Sequence, residues 1–267
     1  MPDEPARNIS GGADGGGAEA RFATGDPETR AEAVVDALGD VYWRKAYRGR
    51  DAFPCLVRTI LSQNTSDTAS QPAFDALMDR YGGDGDLAAA LATADREELA
   101  GVIQPAGLHN QKSRVIVESA EEVVTDFGDA DAFDRFVREG DPDAVRDRLL
   151  DMRGVGPKTA DCVLLFSGGR GGVFPVDTHV HRIARRMGVA PADADHEEVR
   201  EALEAAVPTE KCGFGHTAMI QFGREYCSAR SPACLDGPAA CPLVDLCDRV
   251  GIDTGAGKVV DPVEVDD

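Results

Sequence analysis

The chain has 267 residues, 42% of them apolar, enough to bury a substantial core as one large domain or two small ones. It holds no run of 18 apolar residues and no basic, apolar leader, so neither a membrane span nor a secretory signal is expected and cytoplasmic residence follows. The formal net charge of −20 runs against the basic footprint usual in nucleic-acid-binding proteins.

Residues 1–26 are rich in Gly, Ala and Asp without periodicity and read as a disordered tail. Val34, Val35, Leu38, Val41, Tyr42 and Lys45 then recur at helical spacing and predict a first amphipathic helix. The same pattern predicts helices over 53–63, 68–81, 95–103, 110–127, 144–152, 157–166, 178–187, 196–207 and 216–226. Asp95 with Glu98, and Asp195 with Glu198, read as N-cap and third-position acid pairs. Ser167 to Gly172 form a glycine-rich break, and residues 251–267 an acidic tail. Almost nothing alternates with period two, so the expected fold class is all-α.

Within this pattern, Met152-Arg153-Gly154-Val155-Gly156-Pro157-Lys158-Thr159-Ala160 carries the most chemistry. A Gly-x-Gly turn opening into a helix directs the backbone N–H groups of Gly154, Val155 and Gly156 toward one point, where a phosphate can sit. Lys158, in the first helical turn, faces the positive end of the helix dipole, which disfavours its ammonium form. A lysine inclined to be a neutral amine reads as a nucleophile, and Asp177, in Pro175-Val176-Asp177-Thr178-His179, as its carboxylate partner. The plainer alternatives are a phosphate-binding lysine and a helix-capping aspartate. Four late cysteines, Cys227, Cys234, Cys241 and Cys247, suggest a metal centre, since cytoplasmic thiols rarely form disulfides. Cys55, Cys162 and Cys212 sit on apolar helical faces and read as small buried hydrophobes.

These pieces resemble the endonuclease III branch of the helix-hairpin-helix DNA glycosylase superfamily. That pattern combines a Leu-Pro-Gly-Val-Gly-x-Lys-Thr-Ala hairpin, a Val-Asp-Thr-His loop and a C-terminal four-cysteine iron–sulfur loop, in the order found here. The resemblance runs from about Phe53 to Cys247. It implies two helical lobes with DNA across the cleft, one of residues 52–165 and one of 27–51 with 166–250. It implies a monomeric bifunctional glycosylase and AP lyase of base excision repair, acting on double-stranded DNA with damaged bases, typically oxidised pyrimidines, or AP sites. Lys158 would form a Schiff base with the sugar, and Asp177 would assist. Wedge positions that fill the vacated base stack fall on Leu108 and on Asn64 or Gln63, depending on a one-residue alignment choice. Other-lesion or mismatch glycosylases of the superfamily, and a non-catalytic hairpin DNA-binding protein, are the alternatives.

Two departures stand out. Arg153 replaces the usual proline, and the family's C-x6-C-x2-C-x5-C loop here has a middle gap of six residues, Leu235 to Ala240. The outer spacings match, so the insertion reads as a turn-rich bulge, and the four thiolates suit a [4Fe–4S] cluster or equally a structural zinc. The acidity fits adaptation to high salt, with only five lysines among 28 basic residues. The binding face would then be locally spared, with Lys112, Arg114 and Arg153 supplying positive potential beside the hairpin.

Overall fold

The computed structural model describes residues 22–42, 49–65, 67–83 and 85–260, with the two-residue strands β1 (Ala18–Glu19) and β2 (Lys45–Ala46). The described residues contain twelve α-helices, four short 3-10 helices and two antiparallel pairs of two-residue strands, so the fold is all-α. The chain divides into two compact units, Tyr47–Arg170 and Met1–Ala46 with Gly171–Asp267. The rest of the sequence assigned to the N-terminal and C-terminal tails, residues 1–17, 20, 21 and 261–267, lies outside the described residues. β1, in the N-terminal tail, pairs with β2, and within the C-terminal tail β3 (Ile252–Asp253) pairs with β4 (Lys258–Val259).

The central unit is built around α2 (Ala52–Ser62). Its residues Phe53, Leu56, Val57, Ile60 and Leu61 form one fully buried stripe, and Ala52, Cys55 and Thr59 are buried beyond it, so the helix is covered on most sides. It packs against α3 (Asp67–Tyr81), α6 (His109–Phe127), α7 (Ala130–Glu139) and α9 (Pro157–Phe166). Helices α4 (Leu87–Ala92), α5 (Arg96–Val102) and α8 (Pro142–Asp151) complete the unit. Two of these helices were not expected. At six residues α4 is too short to display a period, yet Asp86 caps it by accepting from the Ala88 N–H at 2.9 Å. In α7 only Phe133 and Val137, four residues apart, are buried, among charged neighbours that hide the repeat.

In the other unit, α1 (Arg30–Val41), α10 (Thr178–Arg186), α11 (His196–Ala206) and α12 (Cys212–Glu225) share one core. Val34, Val35, Leu38, Ile183, Leu203, Phe214 and Phe222 lie within it. The first helix stops at Val41, short of the expected Lys45. Tyr42 turns extended, buries its ring and donates its hydroxyl to Glu225 at 2.9 Å. Asp195 and Glu198 form the expected reciprocal capping box on α11.

A buried ion triad ties α1 to the start of α12. The Lys211 ammonium, 3% exposed, donates to Glu32 and to Asp36, both at 2.7 Å. Burial pulls Lys211 down, but its hydrogen bonds to Asp36 and Glu32 outweigh burial and hold it above 10.5. The hydrogen bond from Lys211 in turn holds Glu32 below 4.5. Removing the shared cation leaves two carboxylates without their counter-charge. Lys211→Met is therefore expected to cost about 3–5 kcal/mol in a denaturant titration near neutral pH. The wild-type contribution should be complete between pH 4.5 and 10.5 and fade as acid protonates Glu32 below its lowered value.

Candidate functional site

The turn between α8 and α9 is fixed by one glycine. Gly154 has φ +76°, a left-handed conformation that L side chains rarely adopt. A Cβ there would also lie 2.8 Å and 2.9 Å from the two γ-carbons of Val115. The Val155 N–H closes the turn on the Met152 carbonyl at 3.1 Å, and its side chain is buried, so Val155 contributes to the turn's closure and packing. Gly156 is the extended N-cap of α9, its carbonyl accepting from Thr159 and Ala160, and Pro157 occupies the first helical position. Lys158 follows, half-buried in the first turn, close enough for its charge to act on the buried Cys55 thiol. Burial nonetheless keeps that thiol above its ordinary value.

Two loops of the same unit flank the hairpin. Gln63 sends its amide N–H groups to the Gly154 carbonyl at 3.2 Å and the Thr159 hydroxyl at 3.1 Å, so its side chain braces the turn. Asn64 beside it is exposed with φ +51°. Leu108 also lies in the left-handed region, φ +46°, and is 56% exposed, the most exposed large apolar side chain among the described residues. That conformation costs a non-glycine residue about 1–2 kcal/mol, and such strain gathers at functional sites.

Lys112 departs from its expected role. It is 3% exposed and donates inward to the Leu61 carbonyl at 2.9 Å, the Thr65 hydroxyl at 2.7 Å and the Ala106 carbonyl at 2.8 Å. Burial lowers its pKa to about 8, so at neutral pH the ammonium supplies three donors to three acceptors. The available signal was that Lys112 falls on the buried face of α6 with Val115, Ile116 and Ser119. Arg153 is exposed but pairs with Glu118 at 3.2 Å, and Arg114 is half-buried. Lys112 thus adds no surface charge beside the hairpin, and Arg153 has a carboxylate partner.

In the other unit, Asp177 is the N-cap of α10, one carboxylate oxygen accepting from the N–H groups of His179 and Val180 at 2.9 Å each. The segment before it is pinned by His216, whose Nδ1 bonds the Pro175 carbonyl at 2.8 Å, and by Glu204, which accepts from the Phe174 N–H at 3.0 Å. His179 is pulled below its ordinary pKa by burial, and its Nδ1 lies 3.1 Å from the Arg182 guanidinium. From the same helix, Arg182 donates to the Cys227 carbonyl, and Arg186 to the carbonyls of Ser228 and Ala229. Composition alone gave no sign of these arginine anchors.

The four late cysteines come within electrostatic reach of one another across the insertion. Burial raises Cys234, Cys241 and Cys247, the last to about 11, and neighbouring cysteines add to each shift. Residues 235–240 fold into two short 3-10 turns, Ala233–Asp236 and Pro238–Ala240. Arg186 donates to the Cys227 sulfur at 3.5 Å, and the Arg249 N–H to the Cys247 sulfur at 3.4 Å. Among the described residues no three His, Cys, Asp or Glu side chains are arranged to hold a metal ion. The donor set itself, four thiols with N–H groups on two sulfurs, fits the chemistry of iron–sulfur or zinc binding.

Residues 57–209 match the model of the HhH-GPD superfamily base excision DNA repair proteins. The chain belongs to that superfamily. Within it the chain falls in the endonuclease III branch. It is 33% identical to endonuclease III of Thermotoga maritima over 188 residues, 70% of this chain and 80% of that one. It is 30% identical to endonuclease III of Bacillus subtilis over 218 residues, 81% and 90% of the two chains. A solved trapped endonuclease III–DNA covalent intermediate superposes with a TM-score of 0.61 at 30% identity, covering 75% of this chain and 84% of that one. The protein is an endonuclease III-like DNA glycosylase of base excision repair.

The hairpin of this superfamily member makes opposite demands at its two glycines. Gly154→Ala should cost about 1–2 kcal/mol for the left-handed backbone, with a similar amount for the contact with Val115. At Gly156, φ is −98° and a Cβ would meet nothing within 4 Å, so Gly156→Ala should cost well under about 1 kcal/mol. Urea titrations of both variants check the contrast.

Proposed function

We propose that this endonuclease III relative is a bifunctional DNA glycosylase and AP lyase that excises oxidised pyrimidines from double-stranded DNA and cuts the strand at the resulting abasic site. The observation that carries the reading is Lys158 in the first turn of α9, two residues beyond the Gly156 N-cap of a glycine hairpin. Backbone N–H groups at Gly154 and Gly156 and the α9 dipole would hold a phosphate next to that amine, fixing register without reading sequence. The solved relative trapped as a covalent intermediate with DNA supports the same chemistry.

The neutral amine attacks C1′ of an extruded nucleotide, and the glycosidic bond breaks with its electron pair leaving on the base. The nitrogen's proton passes to the departing base. Ring opening then gives a protonated imine, which acidifies the C2′ protons. Loss of one of them expels the 3′ phosphate by β-elimination, and water releases the lysine. The Asp177 carboxylate stabilises the positive charge that develops on the sugar and relays protons around the amine. Asn64 and Leu108 are the wedges that fill the vacated stack, because the Gln63 side chain is spent bracing the hairpin.

Lys158→Gln should retain DNA binding and abolish both borohydride trapping and strand cleavage. Asp177→Asn separates charge from helix capping, since an asparagine oxygen can still accept from His179 and Val180. Its melting temperature should stay near wild type while base excision falls by roughly 100-fold or more, the scale of a lost general acid–base. A variant as active as wild type at either position would sink the assignment.

We also propose that Cys227, Cys234, Cys241 and Cys247 hold one [4Fe–4S] cluster, with residues 235–240 bulging away from it. When bound, the cluster supplies structural cross-linking of the C-terminal loop and takes no part in the steps above. Anaerobically purified protein should absorb near about 400 nm and carry about four irons per chain. One zinc without iron would replace the cluster with a zinc staple.

A further inference from the structure

Resting on the glycosylase reading, we infer that Lys112 is a positioning residue that sets the spacing and direction of the two wedge tips. Asn64 and Leu108 stand on separate loops, one following α2 and the other preceding α6. Each tip is exposed and holds a left-handed backbone, so neither is kept in place by burial of its own side chain. What joins the loops is beneath them. The Lys112 ammonium bonds the Leu61 carbonyl in the last turn of α2, the Thr65 hydroxyl on the first loop, and the Ala106 carbonyl on the second. The Thr65 hydroxyl also donates to the Ala106 carbonyl, so the cross-link closes on itself. Leu108 and Lys112 are joined directly by the first helical bond of α6, from the Lys112 N–H to the Leu108 carbonyl at 2.9 Å.

The bracing reaches the hairpin as well. Gln63 lies between Leu61 and Thr65, both bonded to Lys112, and its side chain bonds Gly154 and Thr159. One cation therefore ties both tips to the turn that holds the phosphate. Two rigid tips at fixed separation can enter a base stack together without ordering themselves first, which lowers the cost of extrusion. The amine of Lys112 faces only protein acceptors and touches no reacting atom.

This role predicts a defect confined to extrusion. Thr65→Val removes one acceptor and the bond to Ala106 while preserving shape, and Lys112→Met removes all three ammonium bonds and leaves only the Thr65–Ala106 bond. Each should lower excision from a duplex with a normally paired lesion by roughly 10- to 100-fold, as expected for misplacement of about 1 Å. On a duplex with the same lesion unpaired in a bulge, where extrusion is already complete, the loss should be under about threefold. Lys211→Met, destabilised in the other unit, should lower both substrates alike. Equal losses on both duplexes, or none, would overturn the inference. Thr65→Val decides the matter if Lys112→Met does not fold. A 2-aminopurine placed beside a non-cleavable abasic analogue reads insertion without chemistry: it should brighten with wild type and much less with Thr65→Val. Wild type inert on every lesion would defeat the glycosylase reading, and that fluorescence difference would still test Lys112. Equal brightening would count against it.

Discussion

The central unit depends on a turn that a residue without a side chain makes at least cost. Gly154 combines a left-handed backbone with contact distance to Val115 of α6. With that turn in place, the axis of α9 starts where Lys158 stands in its first turn, and the Gly154 carbonyl becomes an acceptor for Gln63. Gln63 then holds the end of α2 against the hairpin, and Lys112 holds that loop to the one bearing Leu108. The proposed phosphate seat, the proposed nucleophile and both wedge candidates thus share a rigid frame within one unit, as a preorganised site requires.

In the other unit α10 plays a comparable organising part. Its N-terminus is capped by Asp177, so the carboxylate proposed for chemistry is also the one the helix needs. Its later turns carry Arg182 and Arg186, which gather the carbonyls of residues 227–229 and approach the Cys227 sulfur. A single helix thereby joins the acidic loop to the cysteine loop. The helix-capping and catalytic readings of Asp177 are compatible, because a capping carboxylate is a preoriented one.

Much of this was legible in the sequence because it depends on local rules. Gly-x-Gly before a proline and a lysine specifies a turn and a helix start, and Asp195 with Glu198 specifies a capping box that the structure contains. What was not legible depends on long-range partners. Neither Gln63 nor Asn64 shows from its neighbours which will turn inward, since the deciding acceptors, Gly154 and Thr159, lie about ninety residues on. Lys112 sat on an apolar helical face, yet its three acceptors, in the last turn of α2 and on two loops, are brought together only by the tertiary fold. Helix α4 was too short for any periodicity to register, and Tyr42 broke α1 because of a hydroxyl partner 183 residues away.

The unit that contains α1 is assembled from both ends of the chain, with the whole central unit threaded between. During synthesis the apolar face of α1, Val34, Val35 and Leu38, emerges long before α12 supplies Phe214 and Phe222 to cover it. At a synthesis rate of about 5–20 residues per second, that face waits on the order of ten seconds or longer. The continuous central unit can complete its own fold in that interval. Vectorial emergence thus imposes an order of assembly, and leaves the apolar face of the first helix without its native cover until the last one leaves the ribosome.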